Sequence, residues 1–390
     1  MTQLPALVAA GDQLTNDEIS RYSRHIIIPT IGELGQRRLK NARVLVIGAG
    51  GLGSPTILYL AAAGVGTIGI VDFDTVEVSN LQRQVIHGTG DIGRTKLDSA
   101  RDSVAALNPL VIVNPHDILL DASNVLDLFA EYDLIVDGSD NFATRYLVND
   151  AAAILGKPYV WGSVFRFDGQ VSVFWQGFGP TYRDLFPEAP DAGTALSCGE
   201  GGVFGMLCGA VGAVMVAEAV KLITGVGETL LGRVSLYDAL SGRWREMTLT
   251  RDPSAVPVSE LIDYDAFCGV SPRGGSADSA HALTPAELEA MLLSRTGGTA
   301  DFDLIDVREP GEFALVSIPG ARLVPQGDIY DGSALQSLSR DRELVLYCKA
   351  GSRSSGVLAE LNRQGYDRVR HLTGGVDAYT AELQTSHPRY

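Results

Sequence analysis

The 390-residue chain carries a formal charge of −16 at neutral pH, with hydrophobic residues at 45% and charged residues at 20%. That balance fits globular material and argues against sequence-independent nucleic-acid binding, which requires a large positive field. At roughly 150 residues per domain the length holds two or three domains. Four cysteines without paired spacing, at 198, 208, 268 and 348, suit individual thiols in a reducing cytoplasm better than a disulfide framework.

The first residues have a short apolar stretch but no basic leader, so no signal peptide is read. Apolar runs at 43–47, 67–71, 111–113, 134–136 and 158–160 predict strands, with helices between them at 54–63, 95–107, 122–129 and 141–155. This alternation predicts an α/β fold built on a Rossmann-like, doubly wound sheet. The weakly polar run 203–217 ends at Glu218 and Lys221 and reads as a buried Gly/Ala-rich helix on the sheet, not a membrane span. Segments 170–175, 233–237 and 243–249 lack intervening helices and predict added antiparallel strands. Residues 271–279 have no apolar period and read as a flexible linker. Beyond them the α/β pattern restarts, with strands at 304–307, 322–324, 344–348 and 368–371 and helices at 285–293 and 354–364. The predicted organisation is a nucleotide-binding domain at 1–268, a linker at 269–280 and a smaller α/β domain at 281–390.

The first strand runs into Gly48-Ala-Gly-Gly-Leu-Gly53-Ser54 and a helix. Gly48 permits the turn, Gly50 lets backbone approach a phosphate and Gly53 allows close helix packing, while the helix N-terminus supplies N–H donors. Asp72, at the end of the next strand, suits a ribose. This pattern alone fits a nicotinamide dehydrogenase as well as an ATP enzyme. The sequences DFDTVEVSNLQRQ (72–84), GRTK (93–96) and DGSDN (137–141) favour ATP attacked at its α-phosphorus. Arg83 and Lys96 are clamps for the charge that develops there and on pyrophosphate, and Asp140 can hold Mg²⁺ against the phosphates.

Together with GAGGLGS, these motifs resemble the adenylating domain of the MoeB/ThiF family, relatives of ubiquitin-activating enzymes, over residues 15–250. The resemblance implies that Gly51, Asp72, Asn80, Arg83, Lys96, Asp140 and Asn141 surround ATP, within a stretch that includes Gly48, Gly50, Gly53, Asp74, Ser79, Leu81 and Gln82. Arg21-Tyr-Ser-Arg24-His matches the family's N-terminal motif, in which the second arginine, here Arg24, reaches ATP in a partner subunit; this implies a homodimer. The implied substrate is a ubiquitin-like sulfur-carrier protein of the MoaD or ThiS type, ending in Gly-Gly. Its terminal carboxylate is ionised at neutral pH and needs no general base.

Family members usually carry two C-x-x-C pairs for structural zinc. Here those places read Thr181-Tyr-Arg-Asp184 and Asp265-Ala-Phe-Cys268, so no structural zinc is expected and Cys268 reads as a remnant. Cys198, in the glycine-rich segment 194–202, matches the cysteine of the family's crossover loop that is assigned a covalent role in some members. Cys208 falls in the helical pattern and reads as core.

Residues 343–348 predict a strand that delivers Cys348 into Lys349-Ala350-Gly351-Ser352-Arg353, with a helix from Ser354. Inward amides, a helix N-terminus and the cations Lys349 and Arg353 lower a thiol pKa and stabilise a persulfide anion. A cysteine phosphatase loop places five residues between Cys and Arg, whereas four intervene here. The loop, with DLIDVREPGEF (303–313), IPGA (318–321) and TGG (373–375), resembles a rhodanese domain over residues 281–385. Val316, Ser317 and Tyr379 depart from residues frequent in that family, away from the reactive loop.

The combination resembles the MoeZ-type adenylyltransferase/sulfurtransferases. It implies ATP and Mg²⁺ as cofactors, thiosulfate or a cysteine-desulfurase persulfide as sulfur donor, and a carrier thiocarboxylate as product, serving molybdopterin and in some lineages cysteine synthesis or tRNA thiolation. Two alternatives stay open at this point. One is an activating enzyme that passes its carrier to another enzyme's thiol, with the rhodanese as docking module; the other is an NAD-dependent oxidoreductase. A cytoplasmic protein binding neither nucleic acid nor membrane is expected.

Overall fold

The structure, a computed structural model, describes residues 4–189, 201–268 and 281–383. They form two compact units, 4–189 with 202–268 and then 281–383.

The first unit is built on an eight-stranded sheet in the order β3-β2-β1-β4-β5-β6-β7-β8. Strands β1 (Arg43–Ile47), β2 (Thr67–Val71), β3 (Ile112–His116), β4 (Leu134–Asp137) and β5 (Tyr159–Phe165) run parallel. Strands β6 (Asp168–Phe174), β7 (Arg233–Asp238) and β8 (Arg243–Thr248) continue it antiparallel. This is the predicted doubly wound sheet with added antiparallel strands. Pro115 sits within β3 because β3 is an edge, where a missing N–H costs no ladder bond. Strand β5 runs well past the apolar run at 158–160, since Gly162 and Ser163 hold the ladder to β6 without being apolar.

The Gly205–Thr224 helix packs on this sheet and on the Gly53–Ala63 helix. Its glycines allow the contact: a Cβ on Gly212 would lie 2.6 Å from Pro55 Cγ. Gly162 of β5 meets the same helix, where a Cβ would stand 2.4 Å from Met215 Sδ. The helix is long and apolar enough, by length and composition alone, to cross a membrane, but these contacts make it core.

The second unit is a five-stranded parallel sheet in the order β11-β10-β12-β13-β9, from β9 (Ala282–Leu283), β10 (Phe302–Asp306), β11 (Arg322–Leu323), β12 (Glu343–Tyr347) and β13 (Val369–Leu372). Both of its faces carry an apolar core, as a parallel sheet requires. Asp306 and Arg308 are fully buried within it and form a bidentate pair at 2.6–2.9 Å, with Arg308 Nη2 also donating to the Val316 carbonyl at 2.6 Å. The Asp-Val-Arg motif is therefore an internal brace.

Candidate functional site

In the first unit the chain leaves β1 into the glycine turn. Gly48 has φ +86°, a left-handed conformation that favours glycine. A Cβ on Gly53 would lie 1.8 Å from the Gly48 carbonyl oxygen, so the helix starts there only without a side chain. A Cβ on Gly51 would stand 2.9 Å from Cys208 Sγ and 3.7 Å from Arg83 Cδ. Cys208 is thus packed beneath the turn, as its core reading expected, and Arg83 lies alongside it.

Asp72 is buried, and each carboxylate oxygen takes one backbone amide: Ala49 N–H at 2.8 Å and Asp74 N–H at 2.9 Å. It therefore fastens the glycine turn to β2. Lys96 is buried at the start of its helix, with Nζ 2.7 Å from Asp74 and 4.0 Å from Asp72. Arg83 is half-buried, and its Nη1 donates to the Ser79 carbonyl at 2.9 Å. Asn80 is buried with Oδ1 accepting from Glu77 N–H at 3.1 Å, which shapes the Val78–Asn80 turn. Leu81 is half-buried, whereas Ser79 and Gln82 are exposed; the Gln82 carbonyl would lie 2.3 Å from a Cβ on Gly205, so that helix begins on glycine.

The DGSDN turn adjoins the glycine turn, since a Cβ on Gly138 would lie 3.2 Å from Gly53 N. Asp140 is exposed there, and Asn141 caps its helix by accepting from Thr144 N–H at 2.8 Å. The structure thus brings Gly48, Gly51, Gly53, Asp72, Asp74 and Arg83 together, with Lys96 beside them. Arg24 is exposed on the Asn16–Ile26 helix. Cys198 lies outside the described residues.

Sequence reasoning missed two features of this site. His87 is buried, with Nδ1 2.8 Å from Ser99 Oγ and Nε2 3.2 Å from the Ala49 carbonyl. Burial holds its pKa below the ordinary value, so it is a neutral brace under the turn. Asp137 is fully buried, with one oxygen accepting from Ser139 N–H at 2.9 Å and the other bonded to no described residue. Burial raises its pKa. Only the first Asp of DGSDN could have signalled it.

The place expected to have lost zinc holds an ion pair. Arg183 Nε and Nη2 donate to the two oxygens of buried Asp150 at 2.8 and 2.7 Å, and Tyr264 OH donates to Oδ2 at 2.8 Å. Arg183 also lies over the rings of Tyr146 and Phe267, 5.1 and 5.2 Å from their centroids. Segments Thr181–Asp184 and Tyr264–Cys268 are thereby joined through Asp150 on the Phe142–Ile154 helix. Among the described residues the place offers a guanidinium and one thiol, Cys268, which are not a zinc donor set. Asp150→Ala leaves Arg183 unpaired at a packed junction and is expected to destabilise the unit by about 3 kcal/mol, read from the denaturant midpoint. A loss below about 1 kcal/mol, as for a surface pair, would reduce the pair to decoration.

In the second unit β12 delivers Cys348, fully buried, into the loop 349–353. Gly351, at φ +96°, turns its N–H onto Cys348 Sγ at 3.0 Å. The loop is held from below by the Thr373–Gly375 turn: Val376 N–H donates to the Cys348 carbonyl at 2.9 Å and Asp377 N–H to the Lys349 carbonyl at 3.1 Å. A Cβ on Gly375 would lie 2.2 Å from the Lys349 carbonyl oxygen, which explains that glycine. Ala350 and Ser352 are exposed, and Lys349 is half-buried.

Arg353 corrects the expectation that it lends positive potential to the thiol. It is buried and donates through Nη1 and Nη2 to both oxygens of buried Glu312, each at 2.8 Å. Burial alone would raise the Glu312 pKa, but the Arg353 hydrogen bonds and charge outweigh it and hold the carboxyl below its ordinary value. Arg353 is thus engaged by a carboxylate, and what the structure aims at the sulfur is the Gly351 amide at the N-terminus of the Ser352–Arg363 helix.

Comparison with known proteins finds relatives of both units. Residues 22–258 match the ThiF family and residues 284–382 the rhodanese-like domain. The chain is 55% identical over the full length of both chains to a probable adenylyltransferase/sulfurtransferase MoeZ of Mycobacterium tuberculosis. It is 39% identical to the adenylyltransferase and sulfurtransferase MOCS3 of Drosophila ananassae, covering 97% of this chain and 87% of that one. A sulfur carrier protein adenylyltransferase of Thermus thermophilus is 50% identical over 66% of this chain and 98% of its own. Among solved structures, Escherichia coli MccB shares the fold at 22% identity and TM-score 0.56, covering 63% of this chain and 75% of that one. The chain belongs to the ThiF family of adenylating enzymes and carries a rhodanese-like sulfurtransferase domain in the same polypeptide.

Proposed function

We propose that the first unit adenylates the C-terminal Gly-Gly carboxylate of a ubiquitin-like sulfur-carrier protein with ATP, and that the second replaces the AMP with sulfur carried on Cys348. The observation that carries this reading is that one chain holds both a glycine turn with Arg83 beside Gly51 and a thiol whose Sγ accepts a loop amide.

ATP lies on the glycine turn, its ribose at Asp72 and its phosphates between Arg83 and Lys96 among Asn80, Ser79 and Gln82. Lys96, held by Asp74 in the free protein, turns to the phosphates when they arrive. Exposed Asp140 is a carboxylate that would hold Mg²⁺ against the phosphates, where the ion would neutralise developing charge. The carrier's ionised carboxylate attacks the α-phosphorus, and a tail without side chains places it in line. Arg24 completes the site of a partner subunit, making the enzyme a homodimer. No structural zinc is needed, because the Arg183–Asp150–Tyr264 cluster joins the same segments.

Cys348 then takes sulfane sulfur from thiosulfate or a desulfurase persulfide. Its persulfide attacks the acyl-adenylate carbonyl and AMP leaves; Cys198 or another thiol cleaves the acyl disulfide, freeing the thiocarboxylate. Each unit is a domain, and the polar stretch 269–280 tethers them, so the persulfide attacks at high effective concentration. The protein works in the cytoplasm. Mass spectrometry of candidate Gly-Gly carriers after incubation with enzyme, ATP, Mg²⁺ and thiosulfate tests the reading. The expected product gains the mass of one oxygen-for-sulfur exchange, and a carrier that is adenylated but never gains sulfur would leave only the first half standing.

A further inference from the structure

Two donors are aimed at Cys348 Sγ: the Gly351 N–H at 3.0 Å and the Ser354 hydroxyl at 3.6 Å. Ser354 is fully buried, and its Oγ also lies 3.0 Å from the Gly351 carbonyl and 3.5 Å from His371 Nδ1. A single hydroxyl proton therefore faces three acceptors, and one of them is a base.

The thiol has reason to use that base. Attack on a sulfane-sulfur donor requires the thiolate, so the thiol must give up its proton. Cys348 is fully buried, and that proton has to leave through a neighbouring group. His371, in β13 beside β12, is half-buried; burial first, and then neighbouring His281, hold its pKa below the ordinary histidine value. At neutral pH its ring is uncharged and one nitrogen can accept a proton. His281 is committed elsewhere, its Nδ1 donating to the Val369 carbonyl at 2.8 Å.

The groups around the relay come from several elements, including the Gly375–Glu382 helix, whose Asp377 N–H donates to the Lys349 carbonyl at 3.1 Å. His281 precedes β9, Cys348 and Lys349 follow β12, and Ser354 and Arg353 lie on the Ser352–Arg363 helix, with Glu312 holding Arg353. Arg370, the preceding residue of β13, is engaged with Glu343 at 2.6 Å.

We propose that His371 accepts the proton of Cys348 through Ser354 when the thiol ionises to attack a sulfane-sulfur donor. This rests on the reading that Cys348 carries the sulfur. Ser354 Oγ takes the thiol proton as its own hydroxyl proton passes to His371 Nδ1. The S–H electron pair stays on Sγ, held by the Gly351 amide. With thiosulfate as donor, the thiolate attacks the outer sulfur: the Sγ–S bond forms, the donor S–S bond breaks and its electron pair leaves on sulfite. The persulfide remains, His371 releases its proton to sulfite or water, and no further oxidant or reductant enters.

Site-resolved alkylation of Cys348 by iodoacetamide across pH, followed by mass spectrometry of the full-length protein, tests the relay alongside sulfite release from thiosulfate. In His371→Asn the alkylation midpoint is expected to rise by about one pH unit, with sulfite release at pH 7 falling about tenfold. Ser354→Ala is expected to shift both as far, and the double variant no further than either. Should His371→Asn fail to fold, the Ser354→Ala profile decides. Midpoints and rates that stay at wild-type values in both variants overturn the relay. Shifted alkylation profiles in a protein whose wild type takes sulfur from neither thiosulfate nor a desulfurase persulfide uphold the relay and overturn the sulfur-carrying reading instead.

Discussion

Cys348→Ala is expected to abolish thiocarboxylate formation while ATP–pyrophosphate exchange continues at the wild-type rate. The thiol is the only group of its loop able to hold sulfane sulfur, so its loss removes the second reaction outright. The loop itself should survive. Its path is fixed by Val376 and Asp377 N–H groups bonding to the carbonyls of residues 348 and 349, and by the Glu312–Arg353 pair, none of which uses the sulfur. Exchange reports only adenylation, which uses residues of the first unit. Measuring both activities on one preparation separates the outcomes. A variant that loses exchange as well would contradict this division of labour, and one that still makes thiocarboxylate would move the sulfur to another thiol.

The second large effect is on adenylation itself. Arg83→Ala is expected to lower ATP–pyrophosphate exchange by about 10²–10³-fold, the usual cost of removing one preorganised charge from a developing oxyanion. The side chain lies against Gly51 and, among the described residues, is anchored at one point, the Ser79 carbonyl, so its removal should leave the melting temperature near wild type. Arg83→Lys is expected to recover only part of the rate, because a point charge replaces a planar fork. Exchange that is unaffected in Arg83→Ala would remove this residue from the site.

The shapes of the two loops were legible in the sequence because their geometry is local. A glycine that must adopt positive φ, a strand that ends on a thiol and a helix that starts a few residues later all fall within one short window. Gly48, Gly53, Cys348 and Gly351 could therefore be placed from spacing alone. The doubly wound sheet was legible for a similar reason, as apolar strands alternate with helical patterns.

What was hidden depends on residues far apart in the chain. Arg353 looked like a cation serving the sulfur, because nothing near it announces Glu312, 41 residues earlier. Asp150 gave no sign of its role, since Arg183 is 33 residues away and Tyr264 is 114. The missing cysteines were visible, but what took their place was not. His87 and His371 were passed over because a lone histidine carries no spacing signal, and each acquires its meaning only from a neighbour contributed by another element.

The Arg183–Asp150–Tyr264 cluster has a consequence for how the protein reaches its working form. A clasp made from side chains closes as the polypeptide collapses, because its guanidinium, carboxylate and hydroxyl arrive with the chain and need no delivery step. Chelators and oxidants that dismantle a thiolate cage find neither thiolate nor metal among these three side chains.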